Sequence, residues 1–218
     1  MLAALARALR LTADERDYLF RVAGHSAPDR MAASDHIAPG LLRVLDRLTD
    51  TPALILSALG ETLVQNHCAR ALFGDTDHLV GMDRSAIYRW FVHPAEERGR
   101  YPADDHERQS RAQVASLRAA YGVMGADSRA GAMVTELRRR SSEFATLWDT
   151  HIVSRRFEDH KILIHPEVGA IEVDCQALFT EDETQVLLVL TAAPRTDAAG
   201  KIELLNVLGT QELGLDPR

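Results

Sequence analysis

Nine histidines, two cysteines and several clusters of acids and arginines are the side chains of this sequence with the means to do chemistry. Metal binding or general acid–base work needs such groups close together, and their spacing does not provide that. No HExxH occurs, no P-loop and no GxGxxG. The Gly-x-Ser-x-Gly elbow of α/β-hydrolases is also missing. His67 and His78 stand far apart, and His160 and His165 flank a short apolar run. His165, followed by Pro166, falls at a strand end, where its ring either faces a ligand carboxylate or caps a turn through its nitrogens. Cys68 and Cys175 lack metal-type spacing. Cys175 is in phase with Ile171 and Val173 and reads as an inert core thiol; Cys68 opens a short helix, a position that can lower its pKa, but a packing role is the favoured reading there too. Asp104-Asp105, Glu181–Glu183, Arg138–Arg140 and Arg155-Arg156 read as solvated faces. The expectation is a protein with no catalytic residue, no metal and no cofactor, and not an enzyme.

The bulk properties narrow the classes further. The chain has 218 residues, 46% hydrophobic and 26% charged, ordinary values for a globular domain with a small appendage. A net charge of −7 speaks against a free-standing nucleic-acid binder, which needs cations to neutralise phosphates. No apolar run approaches the roughly 20 residues of a membrane span. Two distant cysteines and no basic leader imply a reducing cytoplasm.

The elements that must position any site follow from period and punctuation. Residues 1–24 read as two helices, the second opened by the capping box Thr12-Ala-Asp-Glu15 and stopped at Gly24. Residues 25–37 are polar and small, a linker. Leu41, Leu42, Leu45 and Leu48 give a further amphipathic helix. After Pro52 the period changes: residues 53–59 suit a buried strand, Gly60-Glu61 a turn, residues 62–66 a returning strand, and residues 67–73 a short helix ending at Gly74. The middle is helical over residues 85–92, 106–124 and 130–150. From His151 strands return: Ile152-Val153, Lys161–Ile164, the strict alternation of Ile171, Val173, Cys175 and Ala177, and the apolar run Gln185–Thr191. Ala193–Gly200 reads as a loop and Lys201–Leu208 as a closing helix. Strands, helices, then strands in meander order predict an α+β fold: an antiparallel sheet with helices against one face and room for a cavity between them.

An ordered set of segments adds a resemblance. LAALARALRLTADERDYLFRVAG, TPALILSALGETLVQNHCARALFG, SAIYRWF, SEFATLW, HKILIHPEVGAIEV and VLLVLTAAP, in this order over nearly the whole chain, resemble the MmyB-like transcription regulators, a group of XRE-type helix-turn-helix proteins. The resemblance implies a DNA reader followed by a PAS-like ligand-binding domain, with residues 1–24 as a remnant of the reader's last helices and residues 38–218 as the sensor. It implies fatty-acid-like effectors. Residues 1–24 match only the reader's last helices, as in a truncated or a naturally shortened member, so DNA contact is expected only through a full-length helix-turn-helix, acting as a homodimer. Where the family often carries Trp-Asn, this chain has Gln65-Asn66, a position that affects the pocket wall or packing.

Helical spacing and the resemblance together mark the candidate pocket. Tyr88, Phe91, Leu117, Tyr121, Phe144 and Trp148 are its expected apolar wall. Arg89, His151 and His165 are the expected anchors for a carboxylate, which an arginine holds by two parallel bonds. The alternative is a ligand-free dimerisation or protein-interaction module of a regulator.

Overall fold

The computed structural model describes residues 37–150, 160–180 and 183–213, with side chains to residue 208, and scattered positions before residue 24. Two compact units divide the chain, residues 1–32 and 33–218. The helices and most of the linker expected before residue 37, the run Ile152-Val153, and His151 lie outside the described residues.

A five-stranded antiparallel sheet organises the larger unit. Its strands are β1 (Ala53–Ser57), β2 (Thr62–Gln65), β3 (His160–His165), β4 (Gly169–Phe179) and β5 (Gln185–Thr191), in the spatial order β2-β1-β5-β4-β3. The last strand therefore returns beside the first, with Ile55 opposite Leu187. The helices are α1 (Pro39–Leu45), α2 (His67–Phe73), α3 (Ala86–Val92), α4 (Pro94–Glu97), α5 (His106–Met124), α6 (Arg129–Arg140), α7 (Ser142–Asp149) and α8 (Asp197–Leu213). This is the α+β, PAS-like arrangement that the sequence predicts.

One expectation changes. Helices were expected against one face of the sheet, and they cover parts of both. One face carries Leu54, Leu56, Leu163, Ile171, Val173, Cys175, Leu188 and Leu190, joined by Ala69 and Leu72 of α2 and Ile202 and Leu205 of α8. On the other, Ala53, Ile55 and Leu187 meet Leu45 of α1. The reason is in the sequence: β1 and β5 are apolar at successive positions, which only a strand covered on both sides can bury. β4, by contrast, alternates buried and exposed residues from Ile171 to Gln176, so its outer face meets solvent.

Local chemistry sets the helix ends. Ser85, Ser128 and Ser141 each accept a backbone N–H at the start of α3, α6 and α7. The Ser141 cap splits the single helix expected over residues 130–150 into two, because Ser141 is extended (φ −132°, ψ 113°). At the C-terminal end, α8 begins at Asp197, earlier than the predicted Lys201, with Thr196 accepting from the Ala199 N–H and Lys201 paired to Asp197 at 2.6 Å.

Asn66 joins the strands to α2. Its Oδ1 accepts from the N–H groups of Ala53 (3.1 Å) and Ala69 (2.9 Å), and its Nδ2 donates to the carbonyls of Leu48 (2.7 Å) and Thr51 (2.8 Å). All the hydrogen-bonding capacity of one amide is thus used. Asn66→Ala is expected to cost about 2 kcal/mol, a lost cap plus unpaired backbone groups. Urea unfolding checks this, and a loss under about 0.5 kcal/mol would be the size of an ordinary surface change.

On the solvated side of the sheet, the His160 ring has Asp174 at 3.1 Å from Nδ1 and Glu172 at 3.1 Å from Nε2. The doubly protonated ring donates to both carboxylates. The hydrogen bond to Asp174 is the main cause of a pKa raised above 6.5. The resulting stability is present below pH 6.5 and is lost as pH rises through the folded pKa. It is small, because all three groups are solvated. In an NMR titration His160 should show its midpoint above 6.5, moving down in Asp174→Asn; an unmoved midpoint would contradict the pairing.

Candidate functional site

Between the sheet and the helices lies a cavity of about 120 Å³. The sheet supplies an apolar floor: Leu54, Leu56, Leu163, Cys175, Leu188 and Leu190. Ala86 and Ile87 of α3 and Ala112 of α5 add apolar wall opposite. Gly60 lines the β1–β2 turn with φ +70°, and a Cβ there would meet Ile87 Cγ1 at 3.0 Å. The turn therefore both needs the left-handed conformation and lets α3 approach closely.

The polar part of the wall is charged. Arg89, Arg100 and Lys161 are three cations against a single carboxylate, Glu97. Arg89 and Glu97 form a buried pair, with Nε donating to Oε2 at 2.8 Å and Nη2 to Oε1 at 3.3 Å. Their side chains are 11% and 10% exposed. The remaining Arg89 donor, Nη1, reaches the Asp83 carbonyl at 2.6 Å, and Arg100 Nη1 adds a bond to Glu97 at 3.2 Å. Tyr101 stands beside these groups. Burial raises the pKa of its phenol, and the charge of Lys161 partly offsets that. Gln109, Gln113 and Ser116 of α5 supply neutral hydrogen-bonding groups.

Of the anchors expected from the sequence, Arg89 is on this wall. His165 is not. Its Nδ1 accepts the Glu167 N–H at 3.2 Å, which leaves Nε2 to donate to the Ala71 carbonyl at 3.1 Å. The ring thus caps the β3–β4 turn and fastens it to α2, the second of the two roles considered for it. His151 is outside the described residues.

The expected apolar wall takes a different place. Tyr88, Phe91, Leu117, Tyr121, Phe144 and Trp148 are absent from the cavity lining. Four of them pack on one another: Phe91 meets Phe144 edge-on at 5.1 Å, Phe144 stacks on Trp148 at 5.5 Å, and Tyr121 meets Trp148 edge-on at 5.5 Å. Arg118 lies over Trp148 at 4.3 Å. Leu117 is fully buried, and Tyr88 is buried with its hydroxyl 2.9 Å from Arg140. Helices α3, α5, α6 and α7 thus build a core of their own, where aromatic edges and faces satisfy each other.

Sequence reasoning passed over Glu97, Arg100, Tyr101 and Lys161. Glu97 and Arg100 sit in the charge-dense stretch HPAEERGRY. Lys161 left a usable signal: it is in phase with Leu163, and it pairs with Val173, 1% exposed. A charge on the inward phase of a strand marks a wet or functional interior. Gln65 is on the cavity wall, and its Oε1 accepts from Thr76 Oγ1 at 3.0 Å.

The two thiols are buried. Cys68 follows the packing reading and not that of a helix-start thiol with a lowered pKa. Burial pushes it up to about 11, and Sγ donates to Asn206 Oδ1 at 2.7 Å. Among the described residues no group of three or more His, Cys, Asp or Glu could hold a metal ion. Nor, among them, is any helix long and apolar enough to cross a membrane.

No curated protein gives a significant match to the chain. The model of the MmyB-like transcription regulator ligand binding domain does match, over residues 37–205, which takes in the whole sheet and every cavity-lining residue, and the chain belongs to that family.

Proposed function

We propose that this chain is the sensor of a bacterial helix-turn-helix regulator and that its cavity receives a hydrophobic small molecule with an anionic head, of which a fatty acid is one example. The observation that carries this reading is the make-up of the wall: an apolar floor from the sheet with three cations and one carboxylate at its polar part. Such a site recognises an organic acid and offers no paired acid and base with which to transform it, so the chain is read as a non-enzyme. Binding would favour one arrangement of α3 and α4, the helices that carry Arg89 and Glu97. Only a difference in affinity between two arrangements can carry a signal. The signal would pass to a DNA reader in a cytoplasmic homodimer.

The cavity volume favours a second reading. About 120 Å³ is below the roughly 300 Å³ at which ligand pockets usually begin. A ligand-free interaction module would have no need of more.

Native mass spectrometry of the purified protein, followed by denaturing extraction, separates the two. The sensor reading expects an organic acid at stoichiometric amount, or thermal stabilisation by carboxylic acids when the protein is isolated empty. An empty protein that no carboxylic acid stabilises would favour the interaction module.

A further inference from the structure

The carboxylate of Glu97 already occupies the guanidinium of Arg89. Two of the three donor nitrogens of that arginine are on Glu97 and the third is on the Asp83 carbonyl. Arg100 leans on the same carboxylate. An incoming anion would have to break a buried pair to reach Arg89, and such a rupture leaves an uncompensated charge behind.

Lys161 differs from both arginines. It enters the cavity wall from β3, on the face of the sheet that buries Leu163 and Val173. Among the described residues its ammonium makes no hydrogen bond and no ion pair. Asp105, the carboxylate that feels its charge, is held by Arg108 and Gln109. Lys161 is thus the cation of the wall that pairs with no carboxylate among the described residues, whereas Arg89 and Arg100 both pair with Glu97, and Tyr101 stands within the reach of its field.

Size is the second constraint. A volume of about 120 Å³ corresponds to about four water molecules of liquid. A long acyl chain exceeds this volume. A short-chain or single-ring body would not.

We infer that the cavity takes a compact organic acid and that Lys161, not Arg89, seats its carboxylate. The inference rests on the sensor reading and narrows it in two respects, the size of the body and the residue that anchors the head.

Calorimetric titration of the full chain with butyrate, benzoate, butyramide and palmitate tests it. Butyrate or benzoate should saturate a single site, while palmitate should neither bind nor compete. Lys161→Gln should weaken the bound acid at least about ten-fold, as should exchange of butyrate for butyramide, whereas Lys161→Arg should retain binding. Unchanged thermal unfolding of Lys161→Gln shows that the fold is intact. If Lys161→Gln binds within about two-fold of the wild type, or if palmitate binds and the small acids do not, the inference is overturned and the sensor reading stands. If no acid of any size binds, both fall together.

Discussion

Glu97→Ala should be among the most destabilising single substitutions in this domain, costing about 3–5 kcal/mol. The side chain is 10% exposed, and its carboxylate accepts from Arg89 Nε and Nη2 and from Arg100 Nη1. Truncation leaves the Arg89 guanidinium, itself 11% exposed, with only the Asp83 carbonyl as a partner. The cost is chiefly that of the stranded cation, so it should be recovered in large part by Arg89→Met in the same chain. Glu97→Gln, which keeps one acceptor oxygen and removes the charge, should fall between. Urea unfolding of the two single variants and the double variant gives the coupling directly. A loss under about 1 kcal/mol for Glu97→Ala, the scale of a surface pair, would show that solvent reaches the pair and that the polar part of the cavity is not closed.

Phe144→Ala should cost a similar amount, about 3–5 kcal/mol, for a different reason. Phe144 is fully buried between the edge of Phe91 at 5.1 Å and the face of Trp148 at 5.5 Å, and truncation leaves a void that four helices can only partly close. The variant also separates two roles for the aromatic helices. Because Phe144 is off the cavity wall, acid binding by the folded variant should match the wild type. A variant that keeps its stability but loses the ligand would return this residue to the pocket wall.

Much of the sheet was legible because its residues obey period two or lack polar interruption. The alternation of β4 and the apolar runs of β1 and β5 are consequences of which faces are covered. The short helices α2 and α3 were legible from their residue runs. The division at Ser141 was not, since the apolar period continues through it and only the extended backbone reveals the cap. The aromatic cluster shows the same limit at the level of packing. Periodicity identified the face carrying Tyr121, Phe144 and Trp148, but not whether it turns toward the sheet or toward other helices. Arg89, expected as an anchor, is on the cavity wall. Its partner was not legible, because a glutamate in HPAEERGRY looks like any solvated acid until the fold brings α3 and α4 together.

The most direct test of the account is methyl NMR of the full chain titrated in turn with butyrate, benzoate and palmitate. An acid that binds should shift the methyl groups of Leu54, Leu56, Ile87, Leu163, Leu188 and Leu190, which line the cavity. Leu117, Met133 and Leu137, buried elsewhere among the helices, should stay in place. Shifts confined to Leu117, Met133 and Leu137, or no shift with any acid, would contradict an acid-binding cavity between sheet and helices.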